Sequence, residues 1–241
     1  MENAQDIYVL NKKVHLLQAV EGFWTSMDSV MLAAACPIEK GQRFLDMGCG
    51  VGSAGFCVLY RVPDVMMMGI DIQASHIQLA KENAVLNHMQ QRADFICSDI
   101  KEYKEEMPYD HVICNPPYME AGDHLRSPSE EKAKAMGHDR LSLQDWMYIA
   151  GKRLRQEGTL TLIHQAGKLD HILQALQGTF GAIDIIPLWP KQGQQAKRVI
   201  IRAVKDRKSP AIIHSGLVLH NDDGSYTEEA ESILRDGAAI L

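Results

Sequence analysis

The feature that most constrains the fold of this chain is an alternation of short apolar segments and helix-like segments from residue 42 onward. The apolar segments have the length and composition of buried strands, and the segments between them have helical periodicity. Strands that alternate with helices form a parallel sheet, because each helix returns the chain to the same edge. The sequence therefore predicts an α/β fold with a mostly parallel sheet.

The boundaries of the elements follow from the same periodicity. Two short apolar runs on either side of residues 11–13 predict an N-terminal hairpin, and Ser26 is a candidate cap for a helix over 28–36. The last two strands are joined by a short link with Pro and Gly, which favours an antiparallel pair. Predicted strands cover 43–47, 65–70, 93–97, 109–114, 159–163, 183–188 and 199–204, and predicted helices cover 53–61, 74–87, 142–156 and 168–177.

A chain of 241 residues is within the range of a single large α/β domain. We expect one domain over residues 1–241. Its parts are a hairpin and helix prologue (1–40), a catalytic core (41–205) and a C-terminal extension (206–241). The sequence makes no prediction about the oligomeric state.

Three predicted strands end in residues that suit a nucleoside. Residues 48–52 read Gly-Cys-Gly-Val-Gly after the first strand, and the missing side chains let the backbone approach a ligand closely. Asp71 follows the second strand, where a carboxylate can accept from both ribose hydroxyls, and Asp99 follows the third, where it can accept from an adenine amino group. Ligands of open parallel sheets bind outside the carboxyl ends of the strands, so the sequence predicts a nucleoside-containing cofactor there.

Asn115-Pro116-Pro117-Tyr118 directly follows the predicted strand 109–114. The lone pair of an aromatic amine or amide nitrogen is delocalised, so an enzyme that alkylates it needs acceptors for its hydrogens and a face to hold its plane. The Asn115 oxygen and the Pro116 carbonyl supply acceptors, Tyr118 supplies the face, and the prolines stiffen the turn. The alternative interpretation is a simple proline turn with a buried tyrosine.

The glycine run by itself has two interpretations. Residues 50–55 also fit the dinucleotide pattern G-x-G-x-x-G, with Asp71 about 20 residues further on. Asp46 and Gly48 precede that pattern where an NAD site still has strand, and hydride transfer has no use for Asn-Pro-Pro-Tyr. With Asp46 the loop reads D-x-G-x-G-x-G. This loop, followed later by Asn-Pro-Pro-Tyr, resembles the class I S-adenosylmethionine-dependent methyltransferases, and the second motif resembles their amino-methylating branch.

Four further segments, residues 21–34, 187–190, 196–200 and 223–227, are similar to the bacterial family of tRNA adenine-N6 methyltransferases that act on a valine tRNA. The resemblance implies a Rossmann-like fold with helices on both faces and an antiparallel edge strand, S-adenosyl-L-methionine as cofactor, and adenine N6 in tRNA near the anticodon as acceptor. It implies catalytic roles for Asn115, Pro116, Pro117 and Tyr118. The cofactor-binding residues it implies are Thr25, Asp28, Asp46, Gly48, Cys49, Gly50, Gly52, Asp71, Ile72, Asp99 and Asn115.

The net negative charge of the chain limits how it could bind RNA. A formal charge of −6 and a pI near 5.9 repel phosphate, so RNA binding requires a local basic patch. Residues 191–208 contain seven basic residues against Asp206 alone. Lys191, Lys197 and Arg198 are the predicted RNA-binding residues. The competing interpretation is a charged edge strand that protects against aggregation.

Residues 119–141 lack apolar periodicity, which predicts either an ordered substrate clamp or a solvated loop. The five cysteines form no C-x-x-C pair, so the sequence predicts neither a metal site nor a disulfide framework, and Cys97 and Cys114 are expected to be buried in strands. The chain begins with no basic-then-apolar signal segment. No apolar run approaches the about 20 residues that span a bilayer, and we expect a cytoplasmic protein without a membrane partner.

The sequence is also compatible with other classes of function. A protein glutamine amide and guanine N2 of ribosomal RNA are also planar amines that Asn-Pro-Pro-Tyr chemistry suits. An NAD-dependent oxidoreductase and a non-catalytic binding protein fit the residues less well, because the chain has both the cofactor acids and the acceptor motif.

Overall fold

The protein is built on one large sheet with helices on its two faces. The computed structural model describes residues 4–20, 25–105, 107–117 and 141–240. Its strands are β1 (Ala4–Val9), β2 (Val14–Ala19), β3 (Arg43–Met47), β4 (Met66–Asp71), β5 (Ala93–Cys97), β6 (Tyr109–Cys114), β7 (Leu154–Gln165), β8 (Phe180–Lys191), β9 (Arg198–Lys205), β10 (Ile212–Ile213) and β11 (Leu217–His220). Its helices are α1 (Met27–Ala35), α2 (Ser53–Arg61), α3 (Ala74–Leu86), α4 (Leu143–Arg153), α5 (Leu169–Leu176) and α6 (Glu228–Glu231).

A turn of 3-10 helix, Ala166–Lys168, precedes α5, and a π-helical turn, Ser232–Asp236, follows α6. Within the described ranges, none of the helices has both the length and the apolar character needed to cross a membrane.

In the described part of the chain, nine strands form the large sheet in the order β10-β8-β9-β7-β6-β3-β4-β5, and β11 also pairs with β8. Strands β3 to β7 run parallel to one another, and β9 runs antiparallel to both β7 and β8. The carboxyl ends of β3 to β8 and of β11 therefore lie on one edge of the sheet, together with the amino end of β9. We call this the carboxyl edge. The predicted mostly parallel sheet with an antiparallel pair is confirmed.

Each face of the sheet carries its own apolar core. Helices α1, α2 and α3 cover one face, where Phe44 and Ile113 are fully buried. Helices α4 and α5 cover the other face, against Leu45 and Leu162. Burying each such side chain contributes roughly 1.5–3 kcal/mol. The expected placement of helices on both faces is confirmed.

Two asparagines join the N-terminal hairpin to α3. The Asn87 side chain accepts from the His15 amide at 2.9 Å and donates to the His15 carbonyl at 2.6 Å. One turn earlier, Asn83 makes the same pair of bonds with Leu17, at 2.7 and 3.0 Å, and also donates to the Val51 carbonyl at 3.0 Å. These amides satisfy backbone groups along the edge of β2. They also link the hairpin to the glycine run.

One predicted helix is shorter in the structure. The helix expected over 142–156 ends at Arg153, and Leu154 begins β7 in extended conformation. Leu154 is 1% exposed, so its apolar character matches burial in a strand as well as the helical pattern. Glu157 then has a positive φ of 59°, within a bulge that shifts the register of β7 against β6. A single apolar residue at a boundary could not distinguish the two structures.

The two cysteines expected in buried strands differ. Cys114 is fully buried in β6, as predicted. Cys97 is exposed, so that prediction was wrong. The reason is position, because β5 is the outermost strand of the sheet and the second half of its burial pattern faces solvent.

Candidate active site

The glycine run forms a turn at the carboxyl edge between β3 and α2. Gly48, Gly50 and Gly52 have φ values of 70°, 56° and 88°, in the left-handed region that favours glycine. A Cβ on Gly48 would lie 2.8 Å from the Trp146 ring, whereas a Cβ on Gly50 would meet nothing within 4 Å. The turn is thus packed from behind at Gly48 and open at Gly50. The open side leaves room for a ligand to contact the backbone.

Asp71 holds this turn at the end of β4. One carboxylate oxygen accepts from the Gly50 amide at 2.9 Å, and the other accepts from the Gln73 amide at 2.9 Å. The His76 ring lies 3.5 Å from the second oxygen. Each carboxylate oxygen has two lone pairs, so Asp71 keeps acceptor capacity for the hydroxyls of a ribose. The predicted cofactor ligand is therefore also an anchor of the glycine turn.

Asp46 lies beneath the turn and is 3% exposed. Burial raises the pKa of its carboxyl from 3.8 to about 7, and the charge of Asp71 adds to the increase. The amide of Gly55 donates to Asp46 at 3.2 Å, which lowers the pKa and offsets part of the burial effect. An ionised carboxylate at this position favours a nearby positive charge. A sulfonium or ammonium group near the turn would match it.

Cys49 is buried within the turn, and its side chain lies close to the backbone of Gly69. Burial raises the pKa of its thiol well above the ordinary value, with further contributions from the charges of Asp46 and Asp71. The group is therefore a neutral thiol at physiological pH. Among the described residues, no cluster of three or more His, Cys, Asp or Glu side chains is arranged to hold a metal ion.

Ile72 and Asp99 lie beyond the ends of β4 and β5. Ile72 is 47% exposed, and its carbonyl lies 3.5 Å from the Cys97 sulfur. Asp99 is half-buried and accepts from the Lys101 amide at 2.8 Å. An exposed apolar side chain at one strand end and a carboxylate at the next suit a planar base with an amino group.

Thr25 and Asp28, both predicted cofactor residues, lie at the start of α1 but point to different partners. The Thr25 hydroxyl is 2.5 Å from the hydroxyl of Ser53, the first residue after the glycine turn. Asp28 is buried and forms an ion pair with Arg198, whose Nε lies 2.9 Å from a carboxylate oxygen. The structure therefore joins a predicted cofactor residue to a predicted RNA-binding residue.

Asn115 directly follows β6 and lies beside the glycine turn. Met47 and Cys114 are paired in the parallel strands β3 and β6, so the next residues, Gly48 and Asn115, lie side by side. Asn115 Oδ1 is buried and has no hydrogen-bond partner within the described residues. A buried acceptor without a donor costs about 1–3 kcal/mol, and a donor on a bound molecule would remove that cost. The arrangement suits a ligand N–H group.

The prolines after Asn115 differ in exposure, since Pro116 is buried and Pro117 is exposed. Tyr118 lies outside the described residues. The clamp or solvated loop predicted for 119–141 also lies outside them, except for residue 141.

The basic segment 191–208 is divided between the two edges of the sheet. Lys191, at the end of β8, and Lys197 and Arg198, at the start of β9, lie at the carboxyl edge with Asn115. In mid-strand, Arg202 pairs with Asp184 at 3.3 Å. The remaining basic residues, Lys205, Arg207 and Lys208, lie at the opposite edge. The seven basic residues do not form one patch.

The edge-strand interpretation of these charges fails for β9. This strand lies between β7 and β8 and is hydrogen-bonded to both, so it has no free edge to protect. Two of the charges at the carboxyl edge have protein contacts. Lys191 Nζ donates to the Asp222 carbonyl at 2.9 Å. Arg198 is paired with Asp28.

Sequence reasoning missed Trp146, Ser53 and His76, which contact the glycine turn or the residue that anchors it. Ser53 and His76 follow predicted strand ends, so their positions near the site could have been found. Trp146 gave no signal, because it is far from Gly48 in sequence and only the packing of α4 brings it there.

Comparison with known families identifies a match over most of the chain. The profile of the family described as "Methyltransferase small domain" matches residues 25–187. A tRNA1(Val) (adenine(37)-N6)-methyltransferase from Aeromonas hydrophila is 27% identical over 203 residues, covering 83% of this chain and 84% of that protein. The protein of the same name from Vibrio campbellii is 25% identical over 216 residues, covering 89% and 88%.

Solved structures agree on the fold. The crystal structure of a predicted O-methyltransferase from Agrobacterium tumefaciens superposes with a TM-score of 0.73 at 22% identity, covering 89% of this chain and 98% of that one. A SAM-dependent O-methyltransferase from Thermotoga maritima superposes with a TM-score of 0.56 at 16% identity, covering 78% and 68%. At these identities the likeness shows the shared fold.

Proposed function

The chain belongs to the methyltransferase small domain family and is an S-adenosylmethionine-dependent methyltransferase, and we propose that it methylates adenine N6 in tRNA near the anticodon. The observation that carries the acceptor chemistry is the buried oxygen of Asn115 beside the glycine turn, which has no hydrogen-bond partner among the residues that the structure describes. The relatives named as tRNA adenine-N6 methyltransferases support the choice of base and RNA. A tRNA substrate would place the enzyme in the cytoplasm.

The residues at the carboxyl edge fit the cofactor in its parts. Asp71 would accept from the ribose hydroxyls, Asp99 and Ile72 would hold the adenine, and the open backbone at Gly50 would face the ligand. Burial raises the pKa of Asp46 to about 7, and the positively charged methionine portion close to it would favour the ionised carboxylate. When bound, the cofactor supplies a methyl group on a sulfonium, which is already an activated electrophile.

The protein's chemical task is then to orient and polarise the acceptor amine. Asn115 Oδ1 would accept a hydrogen bond from an N–H of the substrate amine, with the Pro116 carbonyl as second acceptor. Positive charge develops on the nitrogen as it reacts, so this hydrogen bond is stronger in the transition state than in the ground state. A carboxamide does not titrate in the physiological range, so Asn115 acts by hydrogen bonding rather than as a base.

An RNA loop is the substrate form that this site favours. The acceptor base must leave its stack to reach Asn115, and a loop nucleotide costs less to unstack than a paired one. Lys191, Lys197 and Arg198 share the carboxyl edge with Asn115, so phosphates next to the extruded base would meet positive charge on an otherwise acidic protein.

Single-turnover transfer of a labelled methyl group tests the proposal. The protein is mixed separately with bulk tRNA, ribosomal RNA and protein extract, and the labelled product is hydrolysed and identified. We expect N6-methyladenine in tRNA. Asn115→Ala should lower the rate roughly a hundredfold, as expected when one transition-state hydrogen bond is removed, and should change S-adenosylhomocysteine affinity far less than the rate.

A matched control removes an exposed carboxamide that is not one of the proposed site residues. Gln78→Ala on α3 loses a side-chain bond to Glu82 and should retain the wild-type rate. Label in protein glutamine or in guanine N2 would replace the proposed acceptor with one of its alternatives. A wild-type rate for Asn115→Ala would show that the motif is only a turn.

A further inference from the structure

The C-terminal extension places a stacked ring pair at the carboxyl edge. The rings of His220 and Tyr226 have centroids 4.7 Å apart and planes 26° apart. His220 ends β11 and is in register with Lys191 of β8. Two hydrogen bonds hold the pair in place. His220 Nδ1 lies 3.2 Å from the Pro190 carbonyl oxygen, and Asn221 Nδ2 donates to the Tyr226 carbonyl at 3.0 Å.

Tyr226 keeps 36% of its surface exposed in this arrangement. A tyrosine that served only to fill the core would bury more of its ring, whereas a ring held by one stacking partner with its other side accessible presents a flat apolar surface. The turn between the two rings is fixed by its own bonds, since Ser225 donates twice to Asp223, at 2.9 and 2.6 Å.

We propose that the His220–Tyr226 pair is a stacking platform for an unpaired RNA base that flanks the methylated nucleotide. This inference rests on the proposed function, because it assumes an RNA acceptor at Asn115. It assigns a role in substrate binding to the extension after β9.

The positions of the strands support this assignment. Between β6, which ends at Asn115, and β11, the sheet contains β7, β9 and β8. Four strand spacings of about 4.8 Å give roughly 19 Å, a span that an extended strand of a few nucleotides covers. Along this path lie Arg198, the first residue of β9, Lys197, which precedes it, and Lys191, the last residue of β8. Basic residues followed by an aromatic platform are the arrangement that binds single-stranded nucleic acid.

The charges around the platform make its contribution distinguishable from that of the lysines. Asp222 and Asp223 lie in the same turn, and Lys191 already donates to the Asp222 carbonyl. The platform is therefore not a phosphate site, and stacking has no counterion term. Loss of the aromatic ring should weaken RNA binding without changing its salt dependence, whereas loss of a lysine should change the salt dependence.

The test measures binding of bulk tRNA, and of a mixed-sequence single-stranded RNA, across a salt series. Tyr226→Leu should weaken binding about 5- to 150-fold, the range for one base–aromatic stack, with an unchanged log–log salt slope. Tyr226→Phe is the matched control and should bind like wild type. Lys197→Gln should flatten the slope by about 1.

S-adenosylhomocysteine binding and thermal unfolding check that each variant is folded. If Tyr226→Leu unfolds, Tyr226→Trp keeps a stacking ring with a larger face and should bind RNA at least as tightly as wild type. Wild-type affinity of a folded Tyr226→Leu, or weakened binding by Tyr226→Trp, would overturn the inference while methylation of tRNA by the wild type still stood. Methylation of protein alone would instead overturn the proposed function, and the platform with it.

Discussion

Replacing Asp46 with asparagine should stabilise the cofactor-free protein, and more so at alkaline pH. The carboxyl is buried, and its pKa is about 7 in the folded protein against 3.8 for an ordinary aspartate. The folded state therefore binds the proton more tightly than the unfolded state. The stability that the protonated form gives is complete below pH 3.8 and is lost progressively as the pH rises through about 7.

The size of the effect follows from these two pKa values. At about 1.4 kcal/mol per pH unit, ionisation of Asp46 costs roughly 2 kcal/mol at about pH 5 and roughly 4 kcal/mol at about pH 8. Asparagine has a similar shape and no charge, and any fixed cost of its buried amide is the same at both pH values. The stability gain of Asp46→Asn should therefore be larger by roughly 2–3 kcal/mol at the higher pH.

Urea unfolding of both proteins at the two pH values measures this difference. Burial raises the pKa of the Cys36 and Cys57 thiols to about 12, so these groups stay neutral at both pH values. Asp94→Asn, which removes an exposed aspartate from β5, is the matched control for the loss of a carboxylate at the surface. Equal gains for Asp46→Asn at the two pH values would refute the reasoning.

Three further changes test the site. Asp71→Ala should weaken S-adenosylhomocysteine binding at least tenfold in calorimetry, because ribose bonds and the anchor of Gly50 are lost; unchanged affinity would remove it from the cofactor site. Gly48→Ala should lower the free energy of unfolding by more than the roughly 1–2 kcal/mol that a left-handed backbone costs, because the added Cβ would also clash with the Trp146 ring. A lower melting temperature in thermal unfolding would show this loss. Arg198→Ala should lower the free energy of unfolding by about 1–3 kcal/mol, because Asp28 stays buried without this partner. In urea unfolding, the added change Asp28→Asn should recover part of that loss. No recovery of stability would contradict the pairing.

Local sequence patterns were enough to predict the elements and the chemistry of their ends. Strand and helix periods are local, and so is the turn chemistry that places glycines after β3 and Asn115 after β6. Because parallel strands bring their carboxyl ends to one edge, Asp71 and Asn115 could be assigned to one site before any coordinates. The division into prologue, core and extension stays a prediction.

The contacts between distant residues at this edge became known from the folded chain. It placed Trp146 behind Gly48, paired Asp28 with Arg198, exposed Cys97 on an outer strand and separated the basic segment between two edges. These outcomes depend on strand order, on register and on the packing of helices across the sheet. Such contacts join residues far apart in the chain, and local patterns of hydrophobicity and charge indicate secondary structure without specifying which distant side chains will pair.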